Sequence, residues 1–111
     1  PESLADEEKL ILDVGRMIRE GFLQQSAFDQ IDSYCSTKKQ YLMLRLFVTF
    51  HRLAEEALNR GVPLAKIRQL PVIAKLMRAK AEVPNEDADR LLQLEEEVRS
   101  AISALKPEIV A

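Results

Sequence analysis

Three groups of side chains in this chain have the types and spacing to do chemistry. Cys35 lies three and four residues ahead of Lys38 and Lys39 and just before a helix start, a setting that favours its thiolate. A free cysteine more commonly fills a small apolar space, and with one cysteine in the chain neither an internal disulfide nor a thiolate metal cluster can form. His51 and Glu55 are one helical turn apart, the spacing of a general-base pair, although a histidine on a helix face is more commonly packing. As the sole histidine, His51 leaves a His-based zinc site short of ligands. Lys66, Arg68, Lys75, Arg78 and Lys80 form a basic run that could meet an acidic protein or a nucleic acid. Aromatic residues make up only 5% of the chain, with no Trp, and none interleave with that run, which excludes a base-stacking surface. Gly15, Gly21 and Gly61 are isolated, so no phosphate-cradling loop is present.

The charges are balanced in sum and segregated in place. Residues 1–35 carry eight acids and three bases (−5), residues 36–81 ten bases and two acids (+8), and residues 82–111 eight acids and three bases (−5), giving the net −2. A basic central layer must therefore face either the acidic ends of its own chain or an anionic partner. At 111 residues, 47% hydrophobic and 31% charged, the chain is expected to fold as one domain with its own core. The longest apolar stretch, Tyr41 to Phe50, is interrupted by Arg45, so no membrane span and no signal peptide are expected.

The elements that would position these groups are all helical. Ser3 and Asp6 form a capping-box start, and Leu10, Ile11, Val14, Met17 and Ile18 a stripe that fades near Gly21. From Glu20 to Ser36 no period is evident, apart from a short turn of helix expected at Phe28 to Ile31. An ordered, irregular connection of that length is commonly functional. Thr37 with Gln40 (or Ser36) caps a long helix to about Arg60, stopped by Gly61 at C′. Its first half, Tyr41 to Phe50, is apolar nearly all round, which predicts a central buried spine. Val62-Pro63 opens a short helix that Pro71 ends, Val72 to about Ala81 is another, and Asn85 or Asp87 caps the last. Leu91, Leu94, Val98, Ile102 and Leu105 form its apolar seam, closed by Pro107. The fold class is all-α: a compact helical bundle of about three longer and two short helices, in one domain spanning 1–111.

The irregular connection is the distinctive part. Arg19-Glu20-Gly21-Phe22-Leu23-Gln24-Gln25-Ser26-Ala27-Phe28-Asp29, then Asp32-Ser33-Tyr34-Cys35-Ser36, resembles a segment of the catalytic A subunit of V-type and archaeal-type rotary ATPases. The family pattern there is Phe-Leu-Gln-Gln-Asn-Ala-Phe-Asp followed by Asp-x-Tyr-Cys and Pro or Ser. Lys39-Gln40-Tyr41-x-Met43-Leu44, Gly61-Val62-Pro63-Leu64 and Leu70-Pro71-Val72 are similar to it as well, so the likeness covers about residues 4–105. The departures are Gly21 where an acid is usual and Ser26 where Asn is usual.

The resemblance implies the C-terminal helical domain of a longer ATP synthase subunit, whose P-loop, magnesium-binding hydroxyl and catalytic glutamate lie upstream. ATP or ADP and magnesium would then belong to the parent subunit, and this chain alone would bind no cofactor and be inactive. The resemblance also implies that Phe28 and Tyr34 border the adenine pocket, where a ring on a loop can stack on a purine. Partners would be the B subunits of an alternating hexamer and the central stalk, with the complex held peripherally on the cytoplasmic face of a membrane, without membrane insertion and without nucleic acid. The proline-bounded elbow Gly61 to Pro71, with Lys66 and Arg68, is the expected stalk-facing interface. The alternative is a stand-alone helical adaptor that binds an acidic protein or nucleic acid through its basic middle.

Overall fold

The structure, a computed structural model, describes residues 2–23 and 37–107, with side chains for 5–22 and 37–107. Among the described residues there are five α-helices and two short turns, in the order α1 (Glu2–Ile18) running into a π-helical turn (Arg19–Leu23), α2 (Thr37–Asn59), α3 (Leu64–Arg68), α4 (Val72–Glu82), a 3-10 turn (Asn85–Asp87) and α5 (Arg90–Ser103). Among the described residues there is no strand, as the absence of any period-2 stretch requires.

The spine is α2, flanked by α1 on one side and α5 on the other, with α4 packed against α5 and the π-turn. Leu10, Val14 and Met17 of α1, Leu42, Met43, Leu46, Phe47, Phe50, Leu53, Ala54 and Ala57 of α2, and Leu91, Val98 and Ile102 of α5 form one continuous core. Each fully buried Leu, Ile or Phe contributes about 1.5–3 kcal/mol through removal from water. The body is elongated, with extents of 54 × 24 × 19 Å. Its radius of gyration is 14.9 Å, against about 13 Å for an average globule of this length.

Several expectations are corrected. The first half of α2 is not buried all round: Tyr41 is 62% and Val48 63% exposed, and Leu44 is exposed beside them, a stripe facing away from α1 and α5. Among the described residues α1, α4 and α5 pack on the other sides of α2 and leave this stripe uncovered. Ile11 likewise lies on the outer side of α1, because the buried spacing is 10, 14, 17. Ser3 falls inside α1 rather than at its cap, since the helix already includes Glu2. Neither Asn85 nor Asp87 caps the last helix: both lie in the 3-10 turn, and α5 starts at Arg90 after Asp89, which makes no side-chain cap bond and pairs with Lys38 instead. Thr37 is already the first residue of α2, while Ser36, the other cap expected, and the helical turn expected at 28–31 lie outside the described residues.

The end of α2 follows the expectation in detail. Gly61 has φ +96°, its N–H donates to Leu58 O at 3.0 Å, and Val62 N–H donates to Ala57 O at 3.0 Å. These are the two bonds of a Schellman ending, with buried Val62 supplying its apolar contact. Arg60 then donates to Ile102 O and Leu105 O, both at 3.3 Å, tying the end of α5 to the end of α2.

Candidate functional site

The residues singled out from the sequence separate into three places. Phe28, Tyr34 and Cys35 lie outside the described residues. His51 is half-buried in α2, and its Nε2 is enclosed without a hydrogen-bond partner, so no hydrogen bond through that nitrogen couples it to Glu55. Lys66 and Arg68 sit on α3, the short elbow helix, both exposed. Among the described residues no three His, Cys, Asp or Glu converge as a metal site. No helix there is long and apolar enough to cross a membrane.

The elbow forms because Pro63 enters α3 from an extended conformation and Pro71 starts α4 two residues after α3 has ended at Gln69. Leu64 and Ile67 bury its inner side. Arg68 is not a free surface base. Its Nε donates to Asp13 Oδ2 at 2.8 Å and its Nη2 to Asp13 Oδ1 at 3.3 Å, a two-point grip that fastens the elbow to α1. The hydrogen bond to Asp13 raises the Arg68 pKa further above its already high ordinary value, so the grip stays charged. Lys66, two residues before Arg68, forms no ion pair among the described residues.

Four further bases of the segment pair with carboxylates of the chain. Lys38 pairs with Asp89 at 2.8 Å, Arg45 with Glu95 at 3.2 Å, Lys75 with Glu97 at 3.2 Å and Arg78 with Glu82 at 3.0 Å. The acidic flanks of the chain thus supply most of the counter-charges for its basic middle.

Among the described residues Lys39, Thr49, Lys80 and Glu95 are polar and buried, which the sequence did not indicate, Lys80 being placed there in the basic run. Glu95, 6% exposed, accepts from Thr49 Oγ1 at 3.1 Å and from Arg45 Nε at 3.2 Å, which raises the Arg45 pKa. Lys39, 6% exposed, donates to Lys80 O at 2.7 Å. Lys80, 8% exposed, donates to Phe22 O at 3.2 Å, with its ammonium 4.8 Å from the Phe22 ring centre. The signal was phase. Lys39 precedes Leu42 and Met43 by three and four, Lys80 follows Leu76 by four, and Glu95 lies between Leu91 and Val98, each on a buried stripe.

The lysine pair borders the ends of the distinctive segment. Where the stripe of α1 runs out, the wider π-turn brings both Gly21 and Phe22 inward. A Cβ at Gly21 would lie 3.1 Å from Met77 Sδ and 3.4 Å from Met77 Cα, so the glycine lets the turn press directly on α4. Phe22 is thereby buried two residues before the stretch 24–36, and Lys39 is buried three residues after it.

The described residues are helical throughout apart from turns, and several cations of the middle segment pair with carboxylates of the flanks. The sequence profile of the C-terminal domain of V and A type ATP synthase matches residues 1–68, more than half of the chain, and the chain belongs to that family. It is 44% identical over 109 residues to the A subunit of the A-type ATP synthase of Ignicoccus hospitalis, covering 96% of this chain and 18% of that protein. It is 44% identical over 110 residues to the same subunit of Methanopyrus kandleri, covering 99% and 18%. To that of Thermococcus onnurineus it is 49% identical over 82 residues, covering 74% and 14%. The likeness therefore continues past residue 68 through α4 and α5, while the chain spans under a fifth of the length of these relatives.

Proposed function

We propose that this chain serves as the helical C-terminal part of the catalytic A subunit of a V/A-type rotary ATP synthase or ATPase that moves protons or sodium ions. The observation that carries the reading is the 44% identity to A subunits of A-type ATP synthases across 96% and 99% of the chain. In this reading ATP or ADP and magnesium bind upstream, Phe28 and Tyr34 border the adenine, and the isolated chain hydrolyses nothing. The domain sits among B subunits in an alternating hexamer, peripheral on the cytoplasmic face of the membrane, and its elbow meets the central stalk. There Lys66 is the contact group, and Arg68, through Asp13, holds the elbow in place.

The test uses the assembled complex. Stacking of a base on an aromatic ring contributes about 1–3 kcal/mol, so Phe28→Ala should raise the KM for ATP at least about fivefold, with Tyr34→Ala in the same direction. An unchanged KM in both variants would overturn the adenine assignment. Lys66→Glu should lower the ions moved per ATP without changing nucleotide affinity, whereas unaltered coupling would remove the elbow from the stalk. Arg68→Glu is the less informative reversal, because it breaks the internal pair as well.

A further inference from the structure

Resting on the reading of this chain as the C-terminal part of a longer subunit, we infer that the outer face of α1 is where the preceding part of the same subunit docks. The contact is apolar over Ile11 and Leu12, with carboxylates of that part meeting Arg16 and Arg19. Two sides of α1 are already used within the chain. Leu10, Val14 and Met17 enter the core, and Asp13 turns to the elbow, where Arg68 holds it at 2.8 Å. The remaining face is an open groove lined by Ile11, Leu12, Gly15, Arg16, Ile18 and Arg19. Leu12 is 72% and Ile11 55% exposed, and Gly15, Arg16 and Arg19 are exposed with them. Steps of three and four residues from Leu12 to Arg19 align these groups along one side of the helix.

Two features of this face have no use among the described residues. Glycine in the middle of a helix costs stability relative to alanine. Gly21 presses on Met77 and Gly61 needs its positive φ, but Gly15 has no positive φ, and a Cβ there would meet nothing within 4 Å. Its missing side chain lets a second surface approach the helix backbone closely. The charges tell the same story. Lys38, Arg45, Arg68, Lys75 and Arg78 pair with carboxylates, whereas Arg16 and Arg19 form no ion pair among the described residues. Glu8 and Glu20, at the two ends of the face, do not take them up, and Asp13 is held by Arg68. Exposed aliphatic side chains beside arginines with no carboxylate partner match the make-up of an interface, and a guanidinium binds a carboxylate at two points. The occupant follows from length. The chain covers 18% of the A subunits it resembles, and the family is that of a C-terminal domain, so most of such a subunit precedes α1, the first helix of this chain.

The experiment places the photo-cross-linking residue p-benzoylphenylalanine at position 12 of the full-length subunit in one preparation and at position 11 in another. After irradiation the joined peptides are identified by mass spectrometry. At least one probe should join a peptide that precedes α1 in the same molecule. Arg16→Glu with Arg19→Glu should cut the yield of that product at least about fivefold, because the carboxylates that met the arginines then repel the face. A joined peptide from residues 24–36, from a second copy or from another subunit overturns the docking face, as does the absence of any product from both probes. A yield unchanged by the two reversals overturns it as well. ATP hydrolysis by the assembled complex without the probe judges the underlying reading separately. Hydrolysis without the expected product removes the docking face alone. The expected product in a subunit whose complex hydrolyses no ATP removes the enzymatic reading alone.

Discussion

Thr49→Val tests whether the carboxylate of Glu95 is held inside the bundle by two donors. The Thr49 hydroxyl donates to Oε1 at 3.1 Å, Arg45 Nε reaches the same oxygen at 3.2 Å, and both Thr49 and Glu95 are buried. Valine has the shape of threonine, so the substitution leaves no cavity and removes only a hydrogen bond to a charged acceptor. Such bonds contribute about 1.5–3 kcal/mol, of which burial of the new methyl returns about 0.8 kcal/mol, for a net loss of about 1–2 kcal/mol. With an unfolding entropy of about 2.1 cal/mol/K per residue, a chain of 111 residues should melt about 4–9 °C lower. Urea denaturation should show the midpoint falling with the slope unchanged, because the surface exposed on unfolding stays the same. In a Glu95→Leu background, where there is no acceptor to satisfy, the same change should cost at least about 1 kcal/mol less. Equal losses in the two backgrounds would refute the argument, because the cost would then come from packing rather than from the carboxylate.

Two further outcomes follow from the glycines. Gly15 lies within α1, has no positive φ, and a Cβ placed there would meet nothing within 4 Å, so Gly15→Ala should stabilise by about 0.5–1 kcal/mol, read as a higher urea midpoint. Gly61→Ala should do the opposite, costing about 1–2 kcal/mol, because at φ +96° a Cβ meets its own carbonyl and the Schellman ending depends on that conformation. Equal melting temperatures for Gly61→Ala and the parent chain would mean that α2 does not end as described.

The fold was legible where one signal dominated. Gly61 sits between an amphipathic run and Val-Pro, and Pro63 and Pro71 cannot lie inside a helix, so the elbow and the end of α2 followed from backbone chemistry alone. The errors share a different cause. Tyr41, Leu44 and Val48 are apolar but face outward, while Lys39, Lys80 and Glu95 are charged but face inward. Residue type misleads in both cases, and helical phase relative to Met43, Leu76 and Leu91 does not. The π-turn was illegible because it answers to a tertiary contact, Gly21 against Met77, whereas the 3-10 turn is closed by local bonds, Asp87 N–H to Pro84 O at 3.0 Å and Ala88 N–H to Asn85 O at 3.3 Å. Of the site, Lys66 and Arg68 were found on the expected elbow, but only the structure revealed the grip on Asp13. Phe28 and Tyr34 rest on the family likeness, and the buried bonds from Lys39 to Lys80 O and from Lys80 to Phe22 O are what the three-dimensional arrangement adds.

The elongation of the body has a mechanical consequence. A tilt about one edge moves the far side in proportion to the span, so a 54 Å body only 24 Å and 19 Å across moves its far end further than a sphere of the same volume would. A rigid-body tilt of about 10° about one end carries the other through about 9 Å, nearly the diameter of a helix. Stiffness along the axis is what makes such leverage usable, and here it comes from α2, a single uninterrupted helix of 23 residues, about 35 Å from end to end. The Schellman ending and the Arg60 clasp close the far end of that beam, so that a small angular displacement introduced at one end arrives at the other as a translation rather than being lost in bending.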